Sequence, residues 1–137
     1  MFVIIMGCGR VGARLAQLLD SDGHDVTVLD VNERAFSRLT PEFSGTPLVG
    51  NGIDIDVLRR AGIERADAFA ACTQGDNRNI MASQLAKHVF KVRKVVTRIY
   101  DPIRSDTFRE LGLDAVSPTV IGAARFYEQL TGNRVEE

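Results

Sequence analysis

Three glycines and one aspartate near the N-terminus have types and spacing that suit the binding of a phosphorylated nucleoside. Gly7-Cys8-Gly9-Arg10-Val11-Gly12 follows the apolar run Phe2–Met6, and Asp30 closes a second apolar run, Val26-Thr27-Val28-Leu29. Gly7 permits a tight turn off the first strand, Gly9 lets backbone approach a phosphate, and Gly12 lets the following helix pack close to the sheet. The start of that helix presents N–H groups to the anion. A carboxylate at the tip of the second strand can accept hydrogen bonds from both ribose hydroxyls. The chemistry is recognition of the adenosine half of a dinucleotide or of an adenine nucleotide. An accidental glycine-rich turn is the alternative, and the preceding strand and well-spaced acid both count against it.

Further residues extend the pattern. Arg10 stands at the helix N-terminus, where its guanidinium adds a full charge to the partial one and suits a β- or γ-phosphate. A solvated first-turn arginine is its ordinary alternative. Asp30 should repel a 2′-phosphate, which disfavours NADP, although Arg34 is near enough in sequence to neutralise one. Val31, Asn51 and Gly52 are candidates for the adenine side, with a plain Asn-Gly turn equally open for the last two. Thr73 to Asp76 ends the fourth apolar run, at the point where ligands bind such sheets. Arg78 and Asn79 open the next helix as caps or phosphate contacts. Arg98 points charge at the same rim, with a surface ion pair as its alternative.

Catalytic groups are scarce by comparison. Hydride transfer needs a substrate site and a proton-moving group. Of the two tyrosines, Tyr127 has no lysine one turn later, and His24 and His88 read as turn and rim residues. Binding without catalysis is therefore expected, and no metal-ligating cluster is read. Cys8 and Cys72 read as buried residues at neighbouring strand ends, with a redox role the weaker alternative because neither has an evident activating partner.

Positioning these residues requires one α/β domain, which 137 residues can supply. The net charge of −1 and scattered basic residues argue against nucleic-acid partners. No apolar run approaches a membrane span and no signal-peptide pattern is present, so a soluble cytoplasmic chain is expected. Strands are expected at Phe2–Met6, Val26–Asp30, Leu48-Val49, Ala68–Cys72, Val95–Ile99 and Ala115-Val116. Helices are expected at Arg10–Leu19, with Val11, Leu15, Leu18 and Leu19 inward, and at Glu33–Leu39, capped by Asn32. Asp54 caps another, carrying Val57, Leu58 and Ala61 and stopped by Gly62. A long helix from about Asn77 to Val89 carries Ile80, Met81, Gln84, Leu85 and His88 at helical spacing. Pro102 starts a helix ending near Leu111-Gly112, and Pro118 starts the last, to about Leu130. Pro41 to Pro47 reads as a connection. The alternation predicts a Rossmann-like doubly wound parallel sheet ordered 3-2-1-4-5-6. Val120, Ile121, Ala123, Ala124, Phe126, Tyr127 and Leu130 exceed one apolar stripe, which suits a partner-facing last helix; burial in the helix's own groove is the alternative.

Five segments in order carry a family resemblance: Gly7–Gly12, Val28–Asn32, Val49–Gly52, Ala71–Asn77 and Thr97–Pro102. Together they resemble the N-terminal (TrkA-N or RCK) domain of Trk/Ktr potassium-uptake regulatory subunits, especially the actinobacterial type sometimes called Ceo proteins. The resemblance runs from Met1 to Leu130. It implies a nucleotide-binding domain over 1–117, a crossover and dimerisation helix over 118–132 and a tail over 133–137. It also implies a cytoplasmic, non-catalytic gating subunit peripheral to the inner membrane, a dimer within a ring beneath a potassium channel or transporter. Its ligand would be NAD(H) or ADP/ATP. Carried over by position, phosphate contacts fall on Gly9, Arg10, Val11 and Gly12, and the ribose acid on Asp30. Adenine-side contacts fall near Val31, Asn51 and Gly52, with Thr73 and Arg98 lining the rest. Asn51 stands where many relatives have aspartate. Thr119 stands where some ATP-gated relatives have a glutamate that reaches a metal-bound phosphate, so no magnesium ligand is expected there. The family's C-terminal ligand-binding subdomain is expected to be absent, either dispensable or lost from a fragment. A small NAD-dependent oxidoreductase and a redox-sensing regulator of another partner are the alternative functions.

Overall fold

Alternate residues of β1 (Phe2–Met6) enter two different cores, which is why the strand reads as one unbroken apolar run. Val3 and Ile5 pack on one face, Ile4 and Met6 on the other. The computed structural model describes residues 1–110 and 114–135. In it β1 pairs in parallel with β2 (Asp25–Asp30) on one side and β4 (Ala68–Ala71) on the other. β3 (Thr46–Val49) flanks β2, while β5 (Lys94–Arg98) and β6 (Asp114–Val116) extend the sheet beyond β4. The order is β3-β2-β1-β4-β5-β6, the doubly wound arrangement expected from the alternating elements. The chain reverses direction across the sheet between β1 and β4, and a crevice opens there at the strands' carboxyl ends.

Helix α1 (Arg10–Ser21) packs on the face of Val3 and Ile5, joined by a 3-10 helix at Glu33–Arg38. Helices α2 (Ile55–Arg60) and α3 (Asp76–Gln84) cover the face of Ile4 and Met6. Asn32 and Asp54 cap as expected: their side chains accept from the N–H of Arg34 and Asp56, respectively. Gly62 ends the α2 region with φ +91°, a left-handed conformation that favours glycine.

Several expectations need correction. α1 buries Gly12, Ala13 and Ala16 instead of a leucine stripe, while Val11 and Leu18 are exposed and Leu15 and Leu19 half-buried. Small residues win because this helix lies too close to the sheet for branched ones. β3 begins two residues earlier than expected and includes Pro47. As an edge strand, β3 tolerates a residue that lacks a ladder N–H. The long helix is not uniform: α3 stops at Gln84, and Leu85–Val89 form a wider π turn closed by Phe90 N–H to the Leu85 carbonyl. Its buried face is Asn79, Ala82, Ser83 and Ala86, whereas Met81, Gln84 and His88 are exposed. Helix α4 (Pro102–Glu110) starts where expected; the reading of its end at Leu111-Gly112 lies outside the described residues.

Helix α5 (Pro118–Thr131) buries none of its residues, and Phe126 and Leu130 are 75% and 84% exposed. Burial in its own groove is therefore not what the fold does with it. An apolar groove of about 380 Å³ instead stands open between α1 and strands β4–β6, lined among others by Val11, Leu15, Val96, Val116 and Pro118. Among the described residues no helix is long and apolar enough to cross a membrane.

Candidate functional site

The glycine turn is built by backbone contacts that side chains would prevent. Gly7 adopts φ +106°, and a Cβ there would stand 2.9 Å from the Thr73 amide nitrogen. Its own N–H donates to the Leu29 carbonyl at 2.7 Å, drawing the turn between β2 and β4. A Cβ on Gly12 would run into the Gly7 carbonyl, so this glycine sets how closely α1 approaches. A Cβ on Gly9 would meet nothing within 4 Å, which leaves open space over the turn. Gly9 is the α1 N-cap and no side chain caps the helix, so its first-turn N–H groups have no side-chain partner.

Asp30 reaches across to this turn. One carboxylate oxygen accepts from Cys8 N–H and the other from Asn32 N–H, both at 2.8 Å. Each oxygen has a further lone pair, so the carboxylate is oriented with acceptor capacity to spare. Asn32, not Asp30, caps the following helical turn. Val31 beside it is 59% exposed and offers an apolar face. The Asn51 side-chain oxygen accepts from Ile53 N–H at 3.1 Å, so the turn reading of Asn51-Gly52 holds, while the amide NH₂ and the oxygen's second lone pair remain for a base.

These residues meet in one cleft of about 540 Å³ at the switch point. That volume falls within the usual range for ligand pockets. Gly7, Gly9, Arg10, Asp30, Val31, Asn51, Gly52, Thr73 and Arg98 all line it. Two expected phosphate contacts do not, which leaves only their backbone N–H groups at the start of α1 for an anion. Gly12 lies buried beneath the turn, and Val11 lines the apolar groove instead. Successive helical residues diverge by about 100°, so Arg10 and Val11 cannot share a wall.

The rim of the β4 strand is held by a polar clamp. Asn79 is fully buried, so it is neither a cap nor a phosphate contact. Its side-chain oxygen accepts from Thr73 N–H at 3.0 Å and from the Thr73 hydroxyl at 2.6 Å. Its amide donates to the Thr73 and Arg98 carbonyls, both at 2.9 Å. All four of its hydrogen-bonding positions are used, which ties β4 to β5. Asp76 adds a second tie, accepting from Tyr100 N–H at 2.8 Å. Arg98 forms no ion pair among the described residues; its guanidinium lies 4.2 Å from the Tyr100 ring centroid.

Arg38, Gln74, Arg78 and Tyr100 also line the cleft. Arg78 opens a helix near the switch point and was readable from that position; Arg38, on the 3-10 helix, had no local signal separating it from Arg34. Four arginines and one aspartate now face the cleft, a cationic lining in a chain whose net charge is −1. Both cysteines are free and buried. Burial, aided by the nearby Asp30 carboxylate, pushes the Cys8 thiol up, and burial pushes Cys72 up to about 11.

A glycine turn, an uncapped helix start and an oriented acid at the switch point of a parallel sheet place the domain in the Rossmann nucleotide-binding class. The TrkA-N domain model matches residues 3–118, and the chain belongs to that family. It is 49% identical over 117 residues to the Trk system potassium uptake protein TrkA of Streptomyces coelicolor, a match covering 85% of this chain and 52% of that protein. The chain therefore spans about half the length of that relative. GsuK bound to ADP is a structural neighbour with TM-score 0.80 and 26% identity, covering 96% of this chain and 34% of that one. The GsuK channel bound to NAD gives TM-score 0.79 and 26% identity, covering 94% of this chain and 23% of that one.

Proposed function

We propose that this chain is the nucleotide-sensing domain of a regulatory subunit that gates a potassium transporter or channel, binding NAD(H) or ADP/ATP without transforming it. The observation that carries this reading is the cationic cleft around an uncapped helix start with Asp30 opposite. A pyrophosphate would sit over Gly9, where space is open, held by the first-turn N–H groups of α1 and by Arg10. Asp30 would take the ribose hydroxyls, and Val31 with the Asn51-Gly52 turn would flank the adenine. Thr73 and Arg98 would close the far side. The Asp30 carboxylate itself disfavours a 2′-phosphate. The names of the relatives and the ligands in the GsuK structures support the potassium and nucleotide parts.

A homo-oligomer is the second part of the reading. It is supported by the apolar side chains that α5 leaves wet and by the open groove beside Pro118, which the same helix of a second copy would cover. The subunit would then act in the cytoplasm, at the inner membrane only through its transporter. Raised thiol pKa values weigh against a redox sensor, since a thiol reacts as its thiolate.

Titration calorimetry with ADP, ATP and NADH, together with mass spectrometry of nucleotide released from the purified chain, tests the nucleotide reading. At least one of the three should bind. No heat from any of them at millimolar concentration would overturn it.

A further inference from the structure

Arg98 is the one charged side chain shared by two walls, those of the polar cleft and of the apolar groove, apart from which the groove has only Lys94 as a charged residue. Its backbone is held, because its carbonyl accepts from Asn79. Its side chain is held poorly for a cation. Among the described residues, Nη1 donates to the Cys72 carbonyl over a long 3.4 Å, Nε is buried with no hydrogen-bond partner, and the guanidinium lies over the Tyr100 ring. A guanidinium normally satisfies several of its five donors when partly buried. This one is underbonded beside a cleft suited to an anion, and a charge-assisted bond to phosphate is stronger than the long carbonyl contact it has.

We propose that Arg98 couples the two cavities: a phosphate in the cleft draws its guanidinium off the Tyr100 ring, and the groove wall rearranges as the side chain leaves it. The inference rests on the nucleotide reading above and assigns that site its route to the docking surface. Anchoring of the Arg98 backbone by Asn79 makes the side chain the moving part, while Asp76 holds the backbone of Tyr100 in place. Nucleotide charge at the switch point thereby becomes a change of shape at a surface built for an apolar partner. Adenosine, with no phosphate, should leave Arg98 where it is.

The test uses the full chain with valine methyls labelled for NMR and 3-fluorotyrosine incorporated in a Tyr127→Phe background, so that Tyr100 gives the single fluorine signal. Val96 and Val116 line the groove and not the cleft. Saturating ADP should shift the Tyr100 signal and the Val96 and Val116 methyls, and saturating adenosine should not shift the methyls. Arg98→Met should lose most of the methyl shifts at an ADP concentration that calorimetry shows to be saturating. Methyl shifts that are equal with adenosine, or that persist in Arg98→Met, would overturn the coupling while leaving nucleotide binding intact. Failure of ADP to bind the unaltered chain would instead remove the nucleotide reading and this inference with it.

Discussion

Asp30 serves the fold through two backbone contacts and, in the proposed reading, the ligand as well. Its two oxygens hold the backbone of Cys8 and of Asn32, which joins the glycine turn to the end of β2. Asp30→Ala should therefore weaken ADP, ATP and NADH alike, because the ribose is common to all three. A charged hydrogen bond contributes roughly 1.5–3 kcal/mol, or about tenfold or more in affinity. Calorimetry giving unchanged affinities would rule out the ribose assignment. Cys72 makes a different kind of statement. Burial raises its thiol to about 11 from the ordinary 9.0, so the unfolded chain ionises first as pH rises. Its contribution is intact below pH 9 and is lost as pH climbs toward 11; a two-unit shift amounts to roughly 2–3 kcal/mol. Urea unfolding from pH 8 to 11 should show this decline, and Cys72→Ala should flatten it. A parent chain with no loss above pH 9 would contradict the burial argument.

At the level of elements, the informative piece is α3 and the clamp it carries. A helix that buries asparagine and serine toward the sheet is packing for connection more than for apolar area. The Thr97 hydroxyl donates to Ser83 at 2.6 Å, one turn along from the Asn79 network. Asn79→Ala would leave the Thr73 N–H and the Thr73 and Arg98 carbonyls without these partners. Unsatisfied buried groups of this kind cost about 1–3 kcal/mol each, so a total loss of about 2–4 kcal/mol is expected after relaxation and rehydration. Urea midpoints measured at unchanged slope check it; a variant as stable as its parent would mean that the clamp is not what ties β4 to β5. The 3-10 helix after β2 matters for another reason, since it brings Arg38 back over the cleft.

For the whole molecule, the unsettled surface is α5 together with the open groove. Phe126 and Leu130 are four residues apart and so share a helical face, both largely exposed. The isolated chain should be at least a dimer at micromolar concentration by light scattering. Phe126→Asp combined with Leu130→Asp should reduce the mass to that of one chain without changing the circular dichroism of the sheet. A parent chain already monomeric at that concentration would remove the support for a partner-facing helix. The same experiment bears on the proposed gating, because a nucleotide signal would leave this domain only through a surface that something else touches.

Much of the architecture was legible because it is encoded at short range. Apolar runs buried on both faces, glycines at the head of a helix and proline at two helix starts are local facts, and parallel strands joined by helices leave few topologies. Gly7, Gly9, Gly12 and Asp30 belong to that local grammar. Asn32 and Asp54 do too, as caps. The remainder depended on which strand ends converge and on how closely helices approach the sheet. Val11 belongs to the glycine motif in sequence but turns to the groove because the helix rotates it there. Arg38 reaches the cleft from the 3-10 helix and Tyr100 from the connection after β5, with no spacing to announce either. Asn79 looked like a surface cap until close packing of α3 on β4 and β5 buried it, and the poorly satisfied guanidinium of Arg98 exists only because two cavities share one wall. Spacing along a chain can specify a turn or a cap; a shared wall is set by distances between elements, which only the packed structure contains.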